Sequence, residues 1–201
     1  MHKDFMNKFA EVISSVSDGS FISIPIFLIV CLTTVDNKIE AINWAFLCLL
    51  FGIIVPYLYV WFLYKKKKIS DVHIFERENR LKPMVVACIS YIILFIILRV
   101  LKGPLFLKSI FAVIIVSTII LTIITYFWKI CLHASGMTLM VITFNVLFGR
   151  WMLFMIPLVP LIGWARIRIK KHTVSQVISG AGVTAVIAIL IYYNYGFINL
   201  F

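Results

Sequence analysis

The sequence predicts an all-α, polytopic integral membrane bundle of about six to seven spans, and three observations predict it. The 201-residue chain is 63% hydrophobic with a mean hydropathy of +1.07, whereas soluble domains sit near about 45–50% apolar. Its apolar residues fall in long runs separated by short polar loops. Its basic residues gather on alternate loops, as topology signals do. A water-soluble core could not hide this much apolar surface, so residues 1–201 are read as one membrane domain.

Residues 1–19 come first. They are polar and partly amphipathic, with Phe5, Met6, Phe9, Val12 and Ile13 spaced among charges. This pattern suits a helix lying on the membrane surface, or a disordered segment. A compact basic-then-apolar start and a small-residue cleavage site are both lacking, so it does not read as a signal peptide.

Apolar spans follow at about 20–35, 41–64, 84–101, 104–128, 132–149, 151–165 and 174–198. A span needs about 20 residues, within a range of roughly 17–25. The run at 151–165 is short and carries Pro157 and Pro160. A single helix from Thr138 to Trp164 would bury Arg150 at its centre, which is expensive. A tight turn at Gly149-Arg150 between two spans is therefore expected.

With that turn, the N-terminus and the loops 65–83, 129–136 and 163–173 share one side. Fourteen lysines and arginines lie there and five on the other side. The positive-inside rule makes the richer side cytoplasmic.

Charge is also uneven along the chain. Residues 1–78 balance eight acidic against eight basic residues, while everything from Asn79 onward holds eleven basic residues and no carboxylate. Two readings fit: attraction to anionic lipid headgroups, at roughly 1 kcal/mol per basic residue near the surface, or a pocket that handles phosphate. No soluble basic domain with grooves or stacking platforms is present, which argues against nucleic acid as a partner. Cys31, Cys48, Cys88 and Cys131 form no CxxC pair, so neither a disulfide framework nor a zinc site is suggested.

Three of the four histidines, His73, His133 and His172, fall one in each of the three longer loops on the basic side. Histidine also favours membrane interfaces for its polarity alone. The first loop holds Asp71, His73, Glu76, Arg77, Glu78 and Arg80 before Pro83. In a helix over 76–82, Arg77 and Arg80 share a face, and Pro83 would open the next span in a first turn, where proline is tolerated. Two guanidiniums make a forked site for phosphate oxygens; the alternative is a solvated loop paired with Glu76 and Glu78. The second loop, Trp128-Lys129-Ile130-Cys131-Leu132-His133, offers an imidazole near a span start. It could be a cap, an interhelical hydrogen bond or a general acid. The third, Ala165-Arg166 to His172 and Gln176, places a fixed cation and an imidazole at the mouth of a span.

These loops resemble the three signatures of the type 2 phosphatidic acid phosphatase superfamily of membrane phosphatases: Lys-x6-Arg-Pro, Pro-Ser-Gly-His and Ser-Arg-x5-His-x3-Asp. Arg166-x5-His172 fits the third in spacing. Ile130 to His133 fits the second at the histidine. The first is matched by Arg77 or Arg80, with Pro83 three residues beyond Arg80. The resemblance covers roughly residues 65–185.

It implies a nucleophilic His172 that forms a phosphohistidine. Arg166, with Arg77 or Arg80 and Lys129, would bind the phosphoryl oxygens, and His133 would protonate the leaving group. The partner is a lipid phosphate in a membrane of lipid, with no cofactor and no metal. Clustered carboxylates for magnesium are lacking, since Asp71, Glu76 and Glu78 are the acids of these loops. Three positions depart from the pattern: Ala165 and Cys131 replace serines, and Gln176 replaces the aspartate that would orient His172. An amide can hold the tautomer but does not stabilise imidazolium. Asp71 or Glu76 is then expected to fold toward His172. The function expected is a metal-independent lipid phosphatase or diphosphatase. The alternative is a catalytically degenerate relative that binds anionic lipid as a scaffold or carrier.

Overall fold

A computed structural model describes residues 2–16, 19–69 and 77–198, with side chains described over 5–16, 23–69 and 78–198. The described residues are helical throughout, joined by turns, with no strand among them. They cluster into two compact units, one formed by 1–22 with 130–201 and the other by 23–129.

Five helical stretches are long and apolar enough to cross a membrane: Lys38–Lys65, Glu78–Val100, Leu105–Phe127, Arg150–Arg168 and Val174–Asn194. Such a set is compatible with a multi-pass membrane protein, but it is fewer than the six to seven spans expected. The runs at 20–35 and 132–149 form shorter apolar helices over Ser23–Thr34 and Leu132–Phe148. The second is cut at both ends, by extended backbone at Cys131 and by Gly149 at φ +79°. At 1.5 Å per residue its 17 residues span about 25 Å, short of a hydrocarbon core of about 30 Å.

In the second unit, the part of α2 (Gly19–Thr34) from residue 23 on is followed by α3 (Lys38–Leu49). Asn37 caps α3, its side chain accepting from the N–H groups of Ile39 and Glu40. A π turn over Leu50–Ile54 joins α3 to α4 (Val55–Lys65) without a break. A local cause is visible. In π geometry the Phe51 carbonyl looks to residue 56 for its donor, and Pro56 has no N–H. Ser90 on the facing helix α5 (Arg77–Val100) supplies one, its Oγ donating to the Phe51 carbonyl at 2.6 Å. Gly52 leaves room for Phe27, whose ring stacks on Phe111 of α6 (Leu105–Phe127) at 5.5 Å.

α5 corrects one expectation. Pro83 does not open the helix: it is the seventh residue of one that runs on from Arg77. It has no N–H to offer the Asn79 carbonyl one turn back. The apolar run that follows supplies enough burial to carry the helix through that defect.

The first unit contains α1 (His2–Val16), α7 (Leu132–Phe148), a 3₁₀ stretch over Arg150–Met155, α8 (Leu158–Arg168) and α9 (Val174–Asn194). The turn expected at Gly149-Arg150 is present. Asn145 helps close it, its amide donating to the Met152 carbonyl at 3.3 Å. The chain therefore doubles back, and α8 runs antiparallel to α7, with Ile167 packed against the cluster of Cys131, Ala134 and Val177.

α7 and α9 run parallel in a fixed register. Ser135 hydrogen-bonds Thr184, and Thr143 bonds the Tyr192 hydroxyl at 2.8 Å, each pair 49 residues apart. The same offset brings Gly180 against Cys131, where a Cβ would lie 2.6 Å from the Cys131 carbonyl oxygen. Small and hydroxylated residues are how apolar helices approach closely where lipid offers no hydrophobic drive.

Candidate anion-binding site

Parallel α7 and α9, with antiparallel α8 between them in the chain, bring two helix starts and one helix end together. The starts are those of α7 and α9, and the end is that of α8. Arg166, His133 and His172 all belong to this end of the unit.

The spacing Arg166-x5-His172 has a local structural cause. α8 ends in a Schellman turn. The Lys171 N–H donates to the Arg166 carbonyl at 3.0 Å, and the Lys170 N–H to the Ile167 carbonyl at 2.9 Å. Lys170 takes the left-handed conformation, φ 56°, that the motif requires. The His172 N–H also donates to the Arg166 carbonyl, at 3.3 Å. The turn therefore folds His172 back over the turn of helix that carries Arg166. Helices α4 and α5 end in the same way with Lys67 and Lys102 left-handed, and α9 with Gly196.

His172 then meets the start of α9. Thr173 caps this helix as a capping box with Gln176. The Thr173 hydroxyl accepts from the Gln176 N–H, and Gln176 Oε1 accepts from the Thr173 N–H at 3.2 Å. The same Oε1 lies 3.1 Å from His172 Nδ1. A carbonyl oxygen can only accept, so Nδ1 carries the proton in this pair, and Nε2 is the lone-pair nitrogen when the ring is neutral. Gln176, at the position where the motif has aspartate, thus serves the helix cap and the imidazole with one atom.

The backbone ties the second loop to the same place. The Cys131 N–H donates to the Gln176 carbonyl at 3.2 Å. Cys131 is the N-cap residue of α7, and His133 sits in the first turn that follows it. Helix starts favour anions.

Arg166 is 4% exposed and His172 6%. A guanidinium this deep needs hydrogen bonds. One is made with Ser14 of α1, whose Oγ accepts from an Arg166 terminal nitrogen at 2.5 Å. Arg168 donates to the Asn7 side-chain oxygen at 3.0 Å, and the Phe9 and Trp164 rings lie 6.3 Å apart. Among the described side chains of this unit Glu11 is the one carboxylate, and it is exposed on α1. Arg166, Arg168, Lys170 and Lys171 gather at this end of the unit, the residue types that bind anions.

The structure thus brings Arg166, His172, Gln176 and the helix start bearing His133 into one region. Arg77, Arg80 and Lys129 belong to the other unit, where Arg80 is buried at the start of α5 and Lys129 is half-buried after α6. Asp71, His73 and Glu76 lie outside the described residues, as does the side chain of Arg77. Sequence reasoning missed Ser14. No spacing signal could have found a partner 152 residues from Arg166. Among the described residues no three His, Cys, Asp or Glu side chains converge into a metal-ligand set.

No family model matches the chain, and no curated protein and no solved structure shows a significant similarity to it.

Proposed function

We propose that the chain is a metal-independent membrane lipid phosphatase or diphosphatase acting on a lipid phosphomonoester or polyprenyl diphosphate. One observation carries the reading: the Schellman turn that folds His172 onto Arg166 while Gln176 holds the ring with its proton on Nδ1. That arrangement makes Nε2 the candidate nucleophile, on a residue whose backbone is bonded to that of Arg166.

Nε2 attacks phosphorus, forming a P–N bond as the P–O bond to the leaving group breaks. His133 gives its proton to the departing oxygen, then takes one from the water that releases phosphate from His172. Arg166 and the starts of α7 and α9 stabilise charge on the phosphoryl oxygens. The charge count along the sequence supports a cytoplasmic face for this site, with the lipid tail remaining in the bilayer.

A second reading, a degenerate relative that binds anionic lipid as a scaffold or carrier, is favoured by the neutral amide of Gln176 where an acid would stabilise imidazolium. Phosphate release from phosphatidate and polyprenyl diphosphate, measured in EDTA beside His172→Ala, separates the two. The enzyme reading expects release that EDTA leaves intact and His172→Ala abolishes. Release that survives His172→Ala overturns the mechanism, and no release from any substrate leaves the binding reading.

A further inference from the structure

The two faces of α1 differ sharply. Along a helix at 100° per residue, Asn7, Ala10 and Ser14 fall on one side, and Phe5, Phe9, Val12 and Val16 on the side opposite. The first side meets α8: Ala10 is fully buried, Ser14 reaches Arg166 and Asn7 reaches Arg168. The second side is largely exposed, with the Phe9 ring reaching Trp164 of α8. Phe5 is 66% exposed, Val12 60% and Val16 64%, and Phe5 and Phe9 stack on each other at 6.4 Å. Lys8, Glu11 and Ser15 occupy an exposed polar flank between the two. A helix with a protein face, an apolar face and a charged edge suits the plane of a membrane interface.

Its position fits the same level. The two hydrogen bonds and the ring contact described between α1 and α8 fall on residues 164–168, the basic end of a stretch long enough to span. Arg168, Lys170 and Lys171 follow there, and cations at a span end sit among headgroups. The exposed stripe therefore lies at the level of that helix end, where Arg168, Lys170 and Lys171 are complementary to anionic lipid.

We propose that α1 docks on an anionic bilayer surface through Phe5, Phe9, Val12 and Val16, and that docked α1 fixes Arg166 through Ser14 for binding a phosphate headgroup. The inference rests on the reading of Arg166 as a phosphoryl ligand. Ser14 is a positioning residue: it holds the guanidinium, and the guanidinium holds the anion. Membrane attachment and site assembly then become one event.

Docking and positioning are tested separately on the full chain in nanodiscs of phosphatidylcholine with and without phosphatidylglycerol. Cys31, Cys48 and Cys131 are buried, so replacing Cys88 suffices for selective spin-labelling of Val12→Cys or Lys8→Cys. The label at 12 is expected to collide with oxygen more than with a water-soluble nickel complex, most of all with phosphatidylglycerol, and the label at 8 to do the reverse. Equal aqueous access at both positions overturns docking, as does shielding of 12 that grows with protein concentration, which would mean a second copy covers the stripe.

For positioning, the probe is a fluorescent phosphatidate. A hydrogen bond to a charged group is worth enough to raise the dissociation constant about tenfold in Ser14→Ala, with recovery in Ser14→Thr and an unchanged label at 12. Parent-like binding by Ser14→Ala overturns the inference and leaves the proposed activity standing. Absent phosphate release with Ser14-dependent binding does the opposite. A parent chain that binds phosphatidate no better than Arg166→Ala overturns both.

Discussion

His172 Nδ1 and Gln176 Oε1 lie 3.1 Å apart, and the same oxygen closes the cap of α9 on the Thr173 N–H. The imidazole is therefore held by an atom whose position the helix fixes. What the amide lacks is charge, and that sets the first prediction. Gln176→Glu keeps the shape and the capping box while adding a carboxylate. Phosphate release at saturating lipid is expected to rise by about an order of magnitude, because the acid stabilises the developing imidazolium. A rate that stays at the parent level or falls would count against His172 as the nucleophile.

Gly180 decides how close α9 comes to α7. A Cβ there meets the Cys131 carbonyl oxygen, a backbone atom that cannot swing away. Gly180→Ala is expected to cost about 1–3 kcal/mol as an overpacking defect and to lower phosphate release by moving the start of α7 from Gln176. Gly182, two residues on, has nothing within 4 Å of the same position. Gly182→Ala should raise stability by roughly 0.5–1 kcal/mol. Thermal unfolding of the two variants in one detergent checks the contrast, and equal midpoints would remove it.

Lys170 holds a left-handed conformation that glycine adopts without strain. Lys170→Gly should therefore stabilise the chain by roughly 0.5–1 kcal/mol, net of the entropy glycine loses on folding. The turn, and with it the Arg166 to His172 geometry, should persist, so phosphate release should stay near parent. A lower midpoint would show that the Lys170 side chain contributes more than its backbone strain removes.

Ser90 and Pro56 should be energetically coupled. Ser90→Ala leaves the Phe51 carbonyl without its 2.6 Å donor and is expected to destabilise by about 1–3 kcal/mol. Pro56→Ala restores a backbone N–H to the π turn, so Ser90→Ala should cost less in that background. A double-mutant cycle on unfolding midpoints measures the coupling; additivity would separate the two residues.

The sequence is informative where the cause of structure is local. The helix ends at Val100, Phe127 and Asn194 lie close to the ends of the apolar runs, because burial and turn residues act within a few positions. Gly149 marks the reversal after α7 through its backbone freedom alone. Arg166 and His172 are legible as a pair because one Schellman turn connects them. Pro83 misled for the complementary reason: a local rule against interior proline is outweighed by burial along a 24-residue helix.

What the sequence by itself determined is the class of the molecule: apolar helices, a basic and acid-free second half, and two imidazoles near helix starts. Only the tertiary structure decided that α7 and α9 lie parallel with Gly180 against Cys131, that Gln176 serves both cap and imidazole, and that Ser14 meets Arg166. Composition and local spacing set which segments avoid water and where the chain turns. Register between helices depends on which side chains interlock across the packing, and the partner of a buried cation can lie anywhere along the chain.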